Sequence, residues 1–151
     1  MTTYFIRPDA PDSGSDPAPG EPPAINSQWR LIFDFYMGQH IVTDVENYAV
    51  TDALRAAFEE AGITGATYLP MVVARGDQFD LVSPGVTLPH FWHLVATGHK
   101  DVDDFWMRDI TELHVSQRAL EVIRTVGDES TALSDEIPRE EWTPDDGPRY
   151  W

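Results

Sequence analysis

Residues 113–127, LHVSQRALEVIRTVG, specify a strand that runs directly into a helix. The strand residues are apolar or β-branched, and Ser116 then supplies a side-chain oxygen of the kind that caps a helix. Val115 and Leu120 have the spacing of a hydrophobic staple, and Gly127 suits the left-handed helix stop. We therefore predict an amphipathic helix between Ser116 and Gly127, with its apolar stripe facing a sheet.

A second helix is predicted upstream of this segment. Thr51 and Asp52 offer capping oxygens, and Gly62 suits the C-terminal stop. Between them, apolar residues recur at helical spacing: Leu54, Ala57, Phe58 and Ala61. The opposite face is charged, so we expect a short amphipathic helix.

Strand-forming residues dominate most of the other apolar segments. We predict strands at residues 3–7, 29–37, 66–75, 78–82, 90–97 and 131–137, with Gly76-Asp77 as the turn of a hairpin between 66–75 and 78–82. Residues 101–109 are expected to be irregular, with Phe105 and Trp106 turned inward. The order of elements predicts an α+β fold with a mainly antiparallel sheet and two short amphipathic helices.

Two segments interrupt this pattern. Residues 8–26 hold six of the chain's twelve prolines, and we predict a Pro/Gly-rich loop there. Residues 140–151 are predicted to be an acidic, aromatic tail. The length of 151 residues predicts a single domain over residues 1–151.

Charge is the most unusual property of the composition. Ten Lys and Arg face 26 Asp and Glu, which gives a formal net charge of −16 and a pI of about 4.3. Such a chain is a poor binder of phosphate backbones, so direct nucleic-acid binding is not expected. With no cysteine, no membrane-length apolar run and no visible signal peptide, we expect a cytoplasmic protein that does not contact membranes.

No residue pattern points firmly to catalysis, so we predict that the protein is not an enzyme and uses no cofactor. The sequence holds no Gly-x-Ser-x-Gly elbow and no phosphate-binding loop. His90, His93 and His99 lie near acidic residues, but on a strand His90 and His93 point to opposite faces. We therefore expect no metal site, and the adjacent acids are read as surface charge.

Aromatic residues beside acids are the better functional signal, because Trp and Tyr are common interface anchors. An acidic surround complements a basic partner. The residues predicted to bind a partner are Asp101, Asp103, Asp104, Glu140, Glu141, Trp142, Asp145, Asp146 and Trp151.

Three segments resemble a group of bacterial immunity proteins from polymorphic-toxin systems: LPHF (88–91), Phe105-Trp106 and LHVSQRALEVI (113–123). The group's pattern is an aspartate-containing turn, a strand ending in Val-Ser and a helix beginning Arg-Ala-Leu. The start Tyr4-Phe5-Ile6 is similar as well, and the likeness covers roughly a third of the chain. It implies a small cytosolic protein that binds and neutralises a cognate toxin.

Three functions therefore remain open from the sequence. The first is an immunity-type protein that occludes the active site of a basic toxin. The second is an acidic nucleic-acid mimic that inhibits DNA-binding proteins, for which the acids are not regularly spaced. The third is a small metal-dependent enzyme that uses its histidines and aspartates.

Overall fold

The computed structural model describes residues 3–17, 28–108, 111–127 and 137–138. Its strands are β1 (Thr3–Phe5), β2 (Asp12–Pro17), β3 (Trp29–Phe33), β4 (Ile41–Thr43), β5 (Tyr48–Thr51), β6 (Ala66–Pro70), β7 (Val72–Arg75), β8 (Phe91–Ala96), β9 (Phe105–Arg108), β10 (Glu112–Ser116) and β11 (Ile137–Pro138). Its helices are α1 (Asp52–Glu60), α2 (Phe79–Val82) and α3 (Gln117–Val126). The α+β class is confirmed.

The strands form three sheets, with the orders β11-β1-β10-β9, β2-β3-β7 and β4-β5-β8-β6. Within the described residues, β3 and β7 are the one parallel pair of strands, so the prediction of mainly antiparallel pairing is confirmed. Three helices are described where the sequence predicted two, and α2 is the addition.

The third sheet lies between two hydrophobic clusters. Tyr48 and Val50 on β5 belong to a cluster built with α1 and α3, while Ala49 between them belongs to a second cluster. Successive strand residues point to opposite faces, so β5 is buried along its whole length.

Both predicted helices form, with the caps that the sequence indicated. The Ser116 hydroxyl accepts a hydrogen bond from the Ala119 N–H at 3.1 Å, and α3 ends at Gly127 with φ 96°. The Thr51 hydroxyl caps α1 in the same way, and Gly62 follows it with φ 67°. Helices α1 and α3 pack against each other, which places the LHVSQRALEVI segment in the main cluster.

The prediction of a continuous loop over residues 8–26 is wrong for Asp12–Pro17, which form β2. This strand lies at the edge of its sheet, and its register shifts between Asp12 and Gly14. Edge positions and bulges tolerate the proline and glycine that a sheet interior excludes. Residues 18–26 lie outside the described part of the chain.

The predicted hairpin at Gly76-Asp77 is also wrong. Strands β6 and β7 belong to different sheets, because the chain crosses between them at Met71, and residues 79–82 form helix α2. Gly76 instead packs closely against the end of β3: a Cβ there would lie 3.2 Å from the Phe33 carbonyl oxygen and 2.5 Å from Asp34 Oδ1. The glycine permits close approach of the backbone, which a hairpin pattern does not distinguish.

Of the other predicted segments, some are confirmed by the structure and others are wrong. The strand predicted over 90–97 is confirmed as β8, and those over 3–7 and 29–37 are confirmed in part as β1 and β3. Residues 105–108 form β9, so the irregular segment predicted over 101–109 is wrong there, although Phe105 and Trp106 are buried as expected. Of the strand predicted over 131–137, only Ile137 lies within the described residues, in β11.

Candidate protein-binding surface

The loop between β8 and β9, residues 97–104, carries the acidic cluster that the sequence singled out. Asp101 is exposed and adopts a left-handed backbone with φ 65°, and the apolar Val102 beside it is also exposed. Asp103 is less exposed, and its carboxylate accepts a hydrogen bond from the His99 N–H at 2.8 Å. Of the three predicted acids, Asp101 is therefore the one most open to a partner.

Two glycines shape the base of this loop. A Cβ on Gly98 would collide with the Phe105 carbonyl oxygen, and a Cβ on Gly65 would lie 2.5 Å from the same oxygen. The two glycine backbones face each other, because Gly65 Cα is 2.9 Å from the Cβ position of Gly98. The loop is thus fixed against the start of β6 by contacts that no side chain can replace.

Asp104 is buried, with only 4% of its surface exposed, so its predicted place on a charged rim is wrong. Its carboxylate accepts hydrogen bonds from the Ser116 hydroxyl at 2.6 Å, from Arg118 Nη2 at 2.6 Å and from the Thr64 N–H at 2.9 Å. Arg118 also donates to the Ala61 carbonyl oxygen at the end of α1. Asp104 therefore joins the start of α3 to the end of α1.

The charge of Asp104 is stabilised by these contacts. Burial by itself raises the pKa of Asp104, but the hydrogen bonds from Arg118, Ser116 and Thr64 outweigh burial and lower it to about 2. The hydrogen bond to Asp104 in turn raises the pKa of Arg118. The Val-Ser-x-Arg pattern at residues 115–118 is thus an anchor for a buried aspartate as well as a helix cap.

The other predicted partner-binding residues lie outside the described residues: Glu140, Glu141, Trp142, Asp145, Asp146 and Trp151. Their role stays a prediction.

A buried polar group that the sequence did not indicate lies on one face of the first sheet. His114 stacks on Trp106 at 4.2 Å between ring centroids, and Glu112 pairs with Arg108 at 3.2 Å. His114 Nε2 is 3.6 Å from Glu112 Oε2, which favours a protonated ring. Burial and, to a smaller extent, the Arg108 charge outweigh this contact with Glu112. They lower the pKa of His114 to about 4, so this histidine is neutral at pH 7.

A second unpredicted cluster lies at the surface where α1 meets β8. Trp92 Nε1 donates to Asp52 Oδ1 at 2.6 Å, and His90 Nδ1 lies 2.7 Å from the same oxygen. The hydrogen bonds from His90 and then Trp92 lower the pKa of Asp52. The Arg55 guanidinium lies 4.1 Å from the centre of the Trp92 ring. These side chains are satisfied by one another, which makes the cluster a stabilising surface feature.

The histidines do not converge. His90 contacts Asp52, whereas the His93 ring packs at a tilted angle against Trp29, with 5.0 Å between ring centroids. Among the residues that the structure describes, no group of three or more His, Cys, Asp or Glu side chains could hold a metal ion.

Many of the arginines in the described residues are paired with carboxylates. These ion pairs are Arg55–Glu59, Arg75–Asp80, Arg108–Glu112 and Arg118–Asp104. Each pair neutralises one acid and one base locally, so the net charge of −16 is carried by acids outside these four pairs.

Comparison with protein-family models and with curated proteins finds no match for this sequence. In the described part of the chain, no helix has the length and apolar character needed to cross a membrane.

Proposed function

We propose that this protein is an immunity-type inhibitor that binds a cognate, basic bacterial toxin in the cytoplasm and occludes its active site. The observation that carries the proposal is the charge, a formal net −16 over the sequence. A field of this sign attracts a basic protein and raises the rate of encounter. The resemblance of residues 113–123 to immunity proteins supports the same function.

The loop over residues 97–104 supplies part of the charged rim in this proposal. Asp101 faces solvent, while Asp103 fixes the loop through His99 and Asp104 fixes it through Ser116. A rim that is already ordered loses little conformational entropy on binding, so its charges can act without rearrangement. The acidic residues at 140–146, with Trp142 and Trp151, extend the rim in the proposal.

The inhibitor itself needs no catalytic group or cofactor. Binding over the toxin's active site prevents its substrate from entering. Complementary charge favours basic partners in general, and shape complementarity distinguishes the cognate toxin from other basic proteins. Because exposed charges are screened by salt, the association rate of the complex should fall steeply as ionic strength rises.

The test uses the protein encoded by the reading frame next to this chain's gene, inactivated by substitution so that it can be produced. Association and dissociation rates are measured by surface plasmon resonance at about 0.1 M and about 1 M salt, where the Debye length falls from about 10 Å to about 3 Å. A specific complex whose association rate drops between the two conditions supports the proposal, and absence of a complex at low salt refutes it.

The rim is tested with the double variant Asp101→Asn/Asp103→Asn. The amide oxygen of asparagine at 103 can still accept from the His99 N–H, so the variant removes one exposed and one partly exposed charge without removing that bond. This loss of charge should slow association by roughly two- to tenfold at low salt while changing dissociation less. The matched control is Glu60→Gln/Glu121→Gln, which removes the same charge from the exposed faces of α1 and α3. If the two double variants associate at equal rates, the assignment of Asp101 and Asp103 to the charged rim is wrong.

A further inference from the structure

Three exposed apolar side chains lie where the segment after β3 meets helix α2. Met37 is 74% exposed, Leu81 77% and Val82 60%. Single exposed apolar residues are ordinary on a protein surface, whereas several together mark a contact surface. These three residues are called the α2 patch below.

Hydrogen bonds hold the two segments of the α2 patch together. The Ser83 hydroxyl oxygen accepts from the Tyr36 N–H at 3.1 Å and lies 3.5 Å from the Tyr36 carbonyl oxygen. Met37 follows Tyr36 in the chain and Val82 precedes Ser83, so these bonds join the backbone segments that carry the two apolar residues. The buried Gln39 side chain accepts from the Met37 N–H at 2.8 Å. The backbone beneath the α2 patch is therefore held in place by these hydrogen bonds.

Helix α2 contributes one buried side chain to the core. Phe79 is fully buried in the second hydrophobic cluster, while Leu81 and Val82 remain exposed. A sequence of Phe-Asp-Leu-Val could place any of its three apolar residues in the core, and the fold buries only the first. Two large apolar side chains are thus left in solvent on an element that is firmly attached.

Acidic residues lie beside the α2 patch. Asp77 and Asp80 are exposed just before Leu81 in the chain, and Asp34 packs its carboxylate against Gly76. Arg75 also lies here and is paired with Asp80 at 3.2 Å. The acids therefore exceed the bases around the patch, which complements a positively charged partner.

We propose that the α2 patch is the apolar anchor of the interface with the basic toxin. The toxin segment seated on it presents an apolar side chain flanked by Arg or Lys. An interface with this arrangement has a dry apolar centre and a charged margin, where most of the binding energy comes from the centre. The inference rests on the proposed function and identifies where the partner docks.

A second copy of this chain is a less suitable occupant. Two chains of charge −16 repel each other, and the acids beside the patch would face their own counterparts across a two-fold interface. Size-exclusion chromatography with light scattering therefore accompanies the test. A wild-type dimer that becomes monomeric in Leu81→Lys would overturn the inference.

The binding test compares single lysine variants that each add the same charge. Leu81→Lys and Met37→Lys place it on the two segments of the α2 patch, and Leu69→Lys places it on β6, at the edge of the third sheet. Leu69 is 48% exposed, so it is a matched apolar control. The probe is the inactivated product of the adjacent reading frame, and the readout is Kd by calorimetry, with circular dichroism confirming that each variant is folded.

Both patch variants should weaken binding about tenfold or more, and Leu69→Lys should weaken it less than about threefold. If wild type binds tightly and the patch variants weaken it no more than Leu69→Lys, the docking site is wrong while the proposed function stands. If wild type does not bind the probe, both the function and the docking site are wrong. Met37→Lys keeps the result decisive should Leu81→Lys fail to fold.

Discussion

Replacing the buried Asp104 by asparagine is expected to lower the free energy of unfolding by about 2 kcal/mol. The pKa of Asp104 is lowered from 3.8 to about 2 in the folded protein, and each pKa unit corresponds to about 1.4 kcal/mol. Asparagine also turns one acceptor oxygen into an N–H donor, which then faces Ser116 or Thr64 donors. The pKa shift of Asp104 can be converted into a free energy of unfolding because this side chain is only 5% exposed.

The effect depends on pH in a defined direction. A carboxyl group whose folded pKa is lowered stabilises the fold above its unfolded pKa of about 4, and this stabilisation is lost as pH falls toward 2. About half of the difference between wild type and Asp104→Asn should therefore be lost by about pH 3.

The assay is urea unfolding followed by circular dichroism at about pH 7 and about pH 3. With a denaturant slope near 2 kcal/mol per molar urea, the midpoint of Asp104→Asn should fall by about 1 M at pH 7. Asp80→Asn is the matched control, because its exposed pair with Arg75 should contribute less than about 0.5 kcal/mol. A loss at Asp104 no larger than at Asp80, or one that does not change with pH, would refute the reasoning.

Two further predictions concern close packing and a buried histidine. Gly98→Ala should abolish folding or lower the free energy of unfolding by more than about 3 kcal/mol, because its Cβ meets the Phe105 carbonyl oxygen. Gly62→Ala has open space around its Cβ and should cost only about 1 kcal/mol for its positive φ. Thermal unfolding measures both variants, and equal losses of stability would contradict the close packing at Gly98. Since burial and Arg108 lower the pKa of His114 to about 4, the unfolded chain takes up a proton at higher pH than the folded one, and stability should fall by about 1 kcal/mol from pH 7 to about pH 5.5. His114→Phe should lack that part of the fall, and an unchanged pH profile in this variant would show that His114 is not the group responsible.

Local signals predicted the two main helices and their caps correctly. Ser116 and Thr51 act within three residues of their own position, so the sequence around each contains the whole interaction. The hairpin between residues 66–75 and 78–82 failed because residues 79–82 form helix α2. The predicted strand 66–75 also divides, since β6 pairs with β8 and β7 pairs with β3. Strand partners are distant in the chain, and no single-sequence pattern reports them.

The candidate site was only partly predictable for the same reason. Asp104 looks like its neighbours Asp101 and Asp103 in sequence, yet it is the one that meets Arg118 on another element. The exposure of Leu81 is likewise decided by Phe79 taking the only buried position in α2. Burial of an acid and exposure of a leucine both follow from long-range packing, which residue type alone does not reveal.

Stoichiometric inhibition is the most direct measurement of the central claim, that this acidic protein neutralises a basic toxin. The active product of the adjacent reading frame is titrated with this chain at low salt, and its toxic activity is followed as a rate. We expect the rate to fall in proportion to the inhibitor added and to reach zero near one equivalent, with protection reduced at about 1 M salt. Full activity in the presence of excess inhibitor would contradict the account.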